Sequence, residues 1–142
     1  MLITSSTLEL KEYLSNLKQT GKSIGFVATM GALHGGHMAL IQRSKCECDA
    51  TVCSIFVNPT QFNNPVDLEK YPRNLNSDLE LLDAHHCDIA FTPTVDELYE
   101  EGENAKSYDF GGIEIMMEGK FRPGHFDGVG TIINKLCRII EP

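Results

Sequence analysis

His34 and His37 stand three residues apart in TMGALHGGH, Thr29 to His37, a segment that leaves a short apolar run and enters a stretch of helical rhythm. Small residues at such a turn let the backbone approach a ligand closely, and the free amides of a helix start attract anions. Two imidazoles spaced across that start can aim donors at the same phosphate oxygens. Nothing in the arrangement supplies a nucleophile or a carboxylate base. The chemistry it implies is nucleotidyl transfer by orientation and charge stabilisation, with a substrate group as acceptor. A plainer reading stays open, in which His37 caps the helix and His34 is a turn residue. The strand-turn-helix context favours the phosphate site.

FVNPTQF, Phe56 to Phe62, places Asn58 and Gln61 directly after a second apolar run. Neutral amides suit a hydroxy acid, because they bond a carboxylate or hydroxyl without a fixed charge that would over-stabilise a carboxylate that must attack. An Asn-Pro turn with a solvated Gln61 is the alternative. EGKFRPGHFDG, Glu118 to Gly128, offers Arg122 as an anion contact and His125 just ahead of the last helix, although a local Glu118 to Arg122 pair accounts for it nearly as well. Tyr71, Pro72 and Arg73 lie in a loop long enough to act as a flap, from which Tyr71 could cover a ligand. His85 and His86 end a polar helix, where cationic or hydrogen-bonding side chains are favoured, and receive no function.

The elements that must position these groups alternate. Ser6 with Glu9 forms a capping-box signature, and Leu10, Tyr13, Leu14 and Leu17 follow on one helical face, with Gly21 as the stop. Ser23 to Ala28 and Ala50 to Val57 are nearly continuous apolar runs, as expected of strands buried on both faces of a parallel sheet. Between them, MALIQRSKCE is helical, so the pair makes a βαβ unit. LNSDLELLDAHH is a further helix, CDIAFTP a third short strand, VDELYEEG a brief helix, GGIEIMMEG a weak fourth strand or bulge, and FDGVGTIINKLCRII a final helix despite Gly128 and Gly130. The predicted fold is α/β, a Rossmann-like parallel sheet with flanking helices, with ligands at the carboxyl ends of its strands.

The chain has 142 residues, 42% of them hydrophobic, which suits one domain with a core. Its net charge of -8, without a basic run, disfavours binding to nucleic acid or an anionic membrane, so an anionic ligand must be held by a local device. No apolar stretch is long enough to span a bilayer and no basic-then-apolar leader is visible, which predicts a cytoplasmic protein. The five cysteines, an odd number, are expected to be reduced. Cys46, Cys48 and Cys53 with His85 and His86 match no common zinc spacing, and no protein metal site is expected.

Taken together, TMGALHGGH, SIFVNPTQF, DLEKYPR, FTPTVDELY and EGKFRPGHFDGVGT resemble the pantothenate synthetases, the pantoate–β-alanine ligase family, in order from about Gly25 onward. The H-x-G-H element alone is shared with a wider nucleotidyltransferase superfamily. The resemblance implies ATP-dependent condensation of pantoate with β-alanine through a pantoyl adenylate, in the presence of Mg2+, by a homodimer. It implies that Met30 and Gly31 contact the reacting nucleotide, that His34 and His37 face the ATP phosphates, and that Met30, Asn58 and Gln61 line the pantoate pocket. Tyr71 matches a residue of a mobile loop, and Glu118, Arg122 and His125 match a motif near the substrate region and subunit contact. Ala28 stands where the family usually has proline.

Family members are about twice as long, and their lysine, acidic and second glutamine residues for nucleotide and pantoate fall beyond Pro142. The expectation is therefore an incomplete amino-terminal domain, residues 1–142, lacking the domain that closes over ATP. Two other readings remain: a non-catalytic module that binds pantoate or dimerises, and a nucleotidyltransferase with a phosphorylated acceptor.

Overall fold

A computed structural model describes residues 1–116 and 118–142, with Ile113 described through its backbone alone. Four strands, β1 (Leu2–Thr4), β2 (Ile24–Thr29), β3 (Ala50–Ile55) and β4 (Ile89–Phe91), form one parallel sheet in the order β1-β4-β3-β2. The helices are α1 (Thr7–Gln19), α2 (Gly35–Glu47), α3 (Pro65–Lys70), α4 (Leu75–Ala84), α5 (Val95–Leu98), α6 (Glu118–Phe121) and α7 (His125–Ile140). This is the Rossmann-like α/β arrangement expected.

Alternation along the strands divides the core in two, because successive side chains of a strand point to opposite faces. Ile24, Val52, Phe56, Ile89 and Phe91 meet Leu10 and Leu14 of α1 and Ile132, Leu136 and Ile140 of α7. On the other face, Val27, Cys53 and Ala90 meet Met38 and Ile41 of α2 and Leu82 of α4. Both sheet faces are covered, which is why the strands read as unbroken apolar runs. Cys53 and Cys87 share the second core, and burial, reinforced by Cys87, pushes the Cys53 thiol up to about 12, so it is protonated at neutral pH. No helix among the described residues is long and apolar enough to cross a membrane.

Local chemistry sets the ends of α1. The Ser6 hydroxyl accepts from Glu9 N–H at 3.4 Å, as the capping box requires. The return bond is relayed, because Ser6 N–H donates to Thr4 Oγ1 at 3.1 Å while the Thr4 hydroxyl donates to Glu9 Oε2. At the far end Gly21, at φ 74°, closes a Schellman motif: its N–H reaches Lys18 O at 2.9 Å and Lys22 N–H reaches Leu17 O at 3.2 Å.

Three elements differ from the sequence expectation. β1 pairs Leu2, Ile3 and Thr4 with Ile89, Ala90 and Phe91, and three residues are too short a run to show a period. Within GGIEIMMEG, Met117 lies outside the described residues; Ile113–Ile115 is a 3-10 turn and Glu118 opens α6, so no described residue there joins the sheet. The stretch expected as a loop before Tyr71 contains α3, nucleated where Asn64 Oδ1 accepts from Val66 N–H at 2.9 Å and Pro65 occupies the first helical position. Ala28 stays within β2, an edge strand, where proline is also tolerated.

The glycines of α7 are explained by what lies against them. A Cβ at Gly128 would stand 2.2 Å from Thr60 O and 2.7 Å from Gln61 N, so helix and turn touch backbone to backbone. At Gly130 it would meet Tyr108 Cδ2 at 3.0 Å, part of a strap pinned along α7 by Lys106 N–H to Thr131 Oγ1 and Tyr108 N–H to Asp127 Oδ1, both 2.9 Å. Gly128→Ala should therefore destabilise the chain by about 1–3 kcal/mol, outweighing the roughly 1 kcal/mol that alanine normally brings to a helix. Urea denaturation checks this, and a variant as stable as the parent would refute the close approach.

Candidate functional site

β2 and β3 pair residue for residue from Ile24 with Ala50 to Thr29 with Ile55, and Phe56 N–H extends the ladder to Thr29 O at 3.1 Å. The loops that follow must therefore leave side by side at the carboxyl end of the sheet. Between them lies a cavity of about 250 Å³. Met30 lines it from the first loop and His37 from the first turn of α2, Phe56 and Gln61 from the second loop, Tyr71 from the chain after α3, and Val129, Ile132, Ile133 and Leu136 from α7. A larger concavity of about 1210 Å³ lies elsewhere, rimmed by Asp96, Glu97, Glu100, Glu101 and Glu103 with Lys135, and its carboxylates would repel a phosphate.

Both histidines cap α2. His34 Nδ1 accepts from Gly36 N–H at 3.1 Å, and His37 Nδ1 accepts from His34 N–H at 3.3 Å, a reciprocal box with imidazoles in both roles. A ring nitrogen that accepts carries no proton, so each neutral ring holds its hydrogen on Nε2. The cap consumes one nitrogen of each ring and leaves two Nε2–H donors. The ring centroids are 4.1 Å apart. His37 titrates below an ordinary imidazole, chiefly because burial disfavours the cation and then because His34 is adjacent, with Asp78 opposing. Gly31, at φ 81°, turns the chain toward the helix, and Ala32 follows at φ 50°.

Of the two amides expected in the pocket, the structure brings only Gln61 there. Gln61 is buried, and its backbone is bonded through N–H to Asn58 O at 3.2 Å, with His125 Nδ1 3.0 Å from its carbonyl. Its side-chain amide makes no hydrogen bond to another described residue. Asn58 is fully buried and does not line the cavity. Its Nδ2 donates to Gly128 O at 3.0 Å, while Oδ1 accepts from Tyr99 OH at 2.9 Å and Thr60 Oγ1 at 3.1 Å. Asn58 holds the Pro59–Gln61 turn against α7, with its oxygen taken up by Tyr99 and Thr60 and its nitrogen anchored on Gly128.

Of the remaining expected residues, Tyr71 lines the cavity, and Glu118, Arg122 and His125 do not. Tyr71 packs edge-on against Phe62 with centroids 5.7 Å apart, and the Arg122 guanidinium lies 5.9 Å from the Phe62 ring. Arg122 pairs with Glu118 at 3.5 Å, so neither lines the cavity. His85 closes α4, its Nδ1 3.0 Å from Leu81 O. Asp78 is a site residue that sequence reasoning does not single out; its carboxylate accepts Ala32 N–H at 3.0 Å and Leu33 N–H at 2.8 Å. In sequence it resembles an ordinary acid in a first helical turn, although it shares a stripe with the buried Leu82 four residues on.

The depressed His37 value fixes the sign of a pH effect. Below about 6.5 the unfolded chain binds this proton more readily than the folded chain does. The contribution to stability is therefore present at neutral pH and is lost as pH falls through the folded value. Stability measured by urea from pH 7.5 to 5 should fall more steeply for the parent chain than for His37→Gln; parallel curves would contradict the assignment.

A family model described as Pantoate-beta-alanine ligase matches residues 2–142. The pantothenate synthetase of Flavobacterium psychrophilum is 54% identical over 143 residues, covering 100% of this chain and 51% of that protein. That of Porphyromonas gingivalis is 46% identical, with 100% and 50% covered. The crystal structure of pantothenate synthetase from Thermus thermophilus superposes with a TM-score of 0.90 at 39% identity, covering 100% of this chain and 50% of that one. A pantoate-beta-alanine ligase from Francisella tularensis, complexed with beta-gamma ATP and beta-alanine, gives a TM-score of 0.93 at 42% identity over 100% of this chain and 54% of that one. The chain spans about half the length of the curated relatives it matches. On the match along nearly its whole length, the chain belongs to the pantoate-beta-alanine ligase family.

Proposed function

We propose that this chain supplies the acid-binding and phosphate-facing part of an ATP-dependent ligase that condenses pantoate with β-alanine. The observation that carries this is the placement of His37 on the wall of a small cavity that is also lined by apolar residues of α7 and by Gln61, whose side-chain amide has no partner among the described residues. Pantoate has two hydroxyls, a carboxylate and a geminal dimethyl group. The methyls match Val129, Ile132 and Ile133, and the polar groups match Gln61.

In the first step a pantoate carboxylate oxygen attacks the α-phosphorus of ATP, the bond to the β-phosphate oxygen breaks, and pyrophosphate leaves. The β-alanine nitrogen then attacks the acyl carbon, AMP leaves and the amine loses a proton. Neither step needs an enzyme nucleophile. Met30 and Gly31 lie against the nucleotide, and the Nε2–H groups of His34 and His37, with the amides of the α2 start, donate to phosphate oxygens as charge builds on them. Magnesium would enter as part of the ATP substrate; both oxygens of the nearby Asp78 are bonded to backbone.

Ile115, Met116 and Phe121 are 73%, 64% and 76% exposed, which supports a homodimer formed through the α6 region, and the reading places the protein in the cytoplasm.

The test is pantoate-dependent pyrophosphate release from magnesium and ATP without β-alanine, by the chain alone and with the complementary half of the Flavobacterium relative added. His34→Ala or His37→Ala should lower release by roughly 10²–10³-fold with little change in pantoate affinity. Gln61→Ala should weaken pantoate binding about 5-fold, the value of one hydrogen bond. Release that depends on a phosphorylated acceptor and ignores pantoate would overturn the substrate assignment.

A further inference from the structure

The turn that delivers His34 and His37 is left-handed at two successive residues, Gly31 at φ 81° and Ala32 at φ 50°. Ala32 carries a Cβ, which the left-handed region disfavours, so something must hold it there. The holding group comes from far along the chain. Asp78, in the first turn of α4 and 5% exposed, accepts Ala32 N–H on Oδ2 and Leu33 N–H on Oδ1. No ion pair of the described residues involves it, so these amides are its partners. A Cβ on Gly31 would stand 2.9 Å from the same Oδ2, which shows how closely the turn is wrapped on the carboxylate.

We propose that Asp78 is the positioning residue of the histidine pair, its carboxylate locking the two residues that precede His34 and so fixing the direction of both imidazoles. Leu33 is followed at once by the N-cap, leaving no free residue between the anchored amides and the cap. The anchor also ties the two sides of the cavity together, because Tyr71 lies three residues before the Asn74 cap of α4. The groups facing His37 are His34 on its own helix, Asp78 from α4 and Tyr71 across the cavity. Removing the Asp78 charge takes away the neighbour that favours the His37 cation.

The role rests on reading the histidines as phosphate donors, while the anchor itself can be tested in the chain without any reaction. The experiment is NMR on the 142-residue chain, following amide exchange at Ala32 and Leu33 and the ring titrations of the histidines. In Asp78→Asn an NH2 group replaces one acceptor. Exchange at Ala32 and Leu33 should quicken by about tenfold or more, and the His37 midpoint should move down. Asp78→Glu keeps the charge but not the reach, so the His37 midpoint should return toward the parent value while exchange remains fast.

A folded Asp78→Asn chain with parental exchange and parental His37 titration would overturn the proposal. Should Asp78→Asn not fold, Gly31→Ala presses on the same oxygen with the charge retained, and parental exchange at Ala32 and Leu33 there would overturn it equally. If the anchor signatures appear but 10 mM inorganic pyrophosphate, an amount on the order of a weak-binding screen, leaves the histidine resonances unmoved, the phosphate reading fails and the anchor stands.

Discussion

Parallel pairing of β2 with β3 is the constraint from which the rest of the site follows. In a parallel pair both strands end at the same side of the sheet, so the loop after Thr29 and the loop after Ile55 emerge as neighbours. The polar residues of the cavity other than Tyr71 are carried by β2, the first turn of α2 and the loop after β3, and α7 closes it from the face of the first core. The closure depends on one missing side chain. Gly128 lets α7 rest on the backbone of Thr60 and Gln61, and Asn58 fastens the contact from below by donating to the Gly128 carbonyl. A larger residue at 128 or a shorter one at 58 would loosen the wall that carries Gln61.

This division of labour explains which parts of the molecule were legible in the sequence. The buried strands announced themselves as apolar runs, and H-x-x-H announced itself because it follows one of them. Ser6 and Gly21 mark the ends of α1 through chemistry that acts over three or four residues. What escaped depends on partners distant in sequence. Asn58 looks like a ligand-binding amide until Tyr99 and Gly128 are seen to take its oxygen and nitrogen. Asp78 looks like a dipole-compensating acid until Ala32 and Leu33 are found across from it. β1 is three residues long and one of them, Ile3, is half exposed, so neither length nor period identified it.

The two readings of the histidines, cap and ligand donor, prove compatible because an imidazole has two nitrogens. Ser or Asp at the N-cap would satisfy the helix start equally well, but would leave no directed N–H beyond it. With histidine in both box positions, the Nδ1 atoms bond backbone amides and thereby fix the tautomer, and each Nε2–H is left without a partner among the described residues, His37 on the cavity wall and His34 exposed. The plain structural role is what sets the orientation that the chemistry would use.

Neutral donors also differ from cations in how they would act on the reaction. A buried lysine at this position would bind ATP strongly in the ground state, and binding substrate and transition state alike does not accelerate the chemical step. An N–H held by its own helix cap strengthens its bond as negative charge grows on the oxygen it faces, without reorganising. Burial keeps His37 on the neutral side of its titration, and the Asp78 charge limits how far that shift goes. The same carboxylate that bonds the turn thus also opposes the shift in the ring the turn delivers, so one group bears on both geometry and protonation at this site.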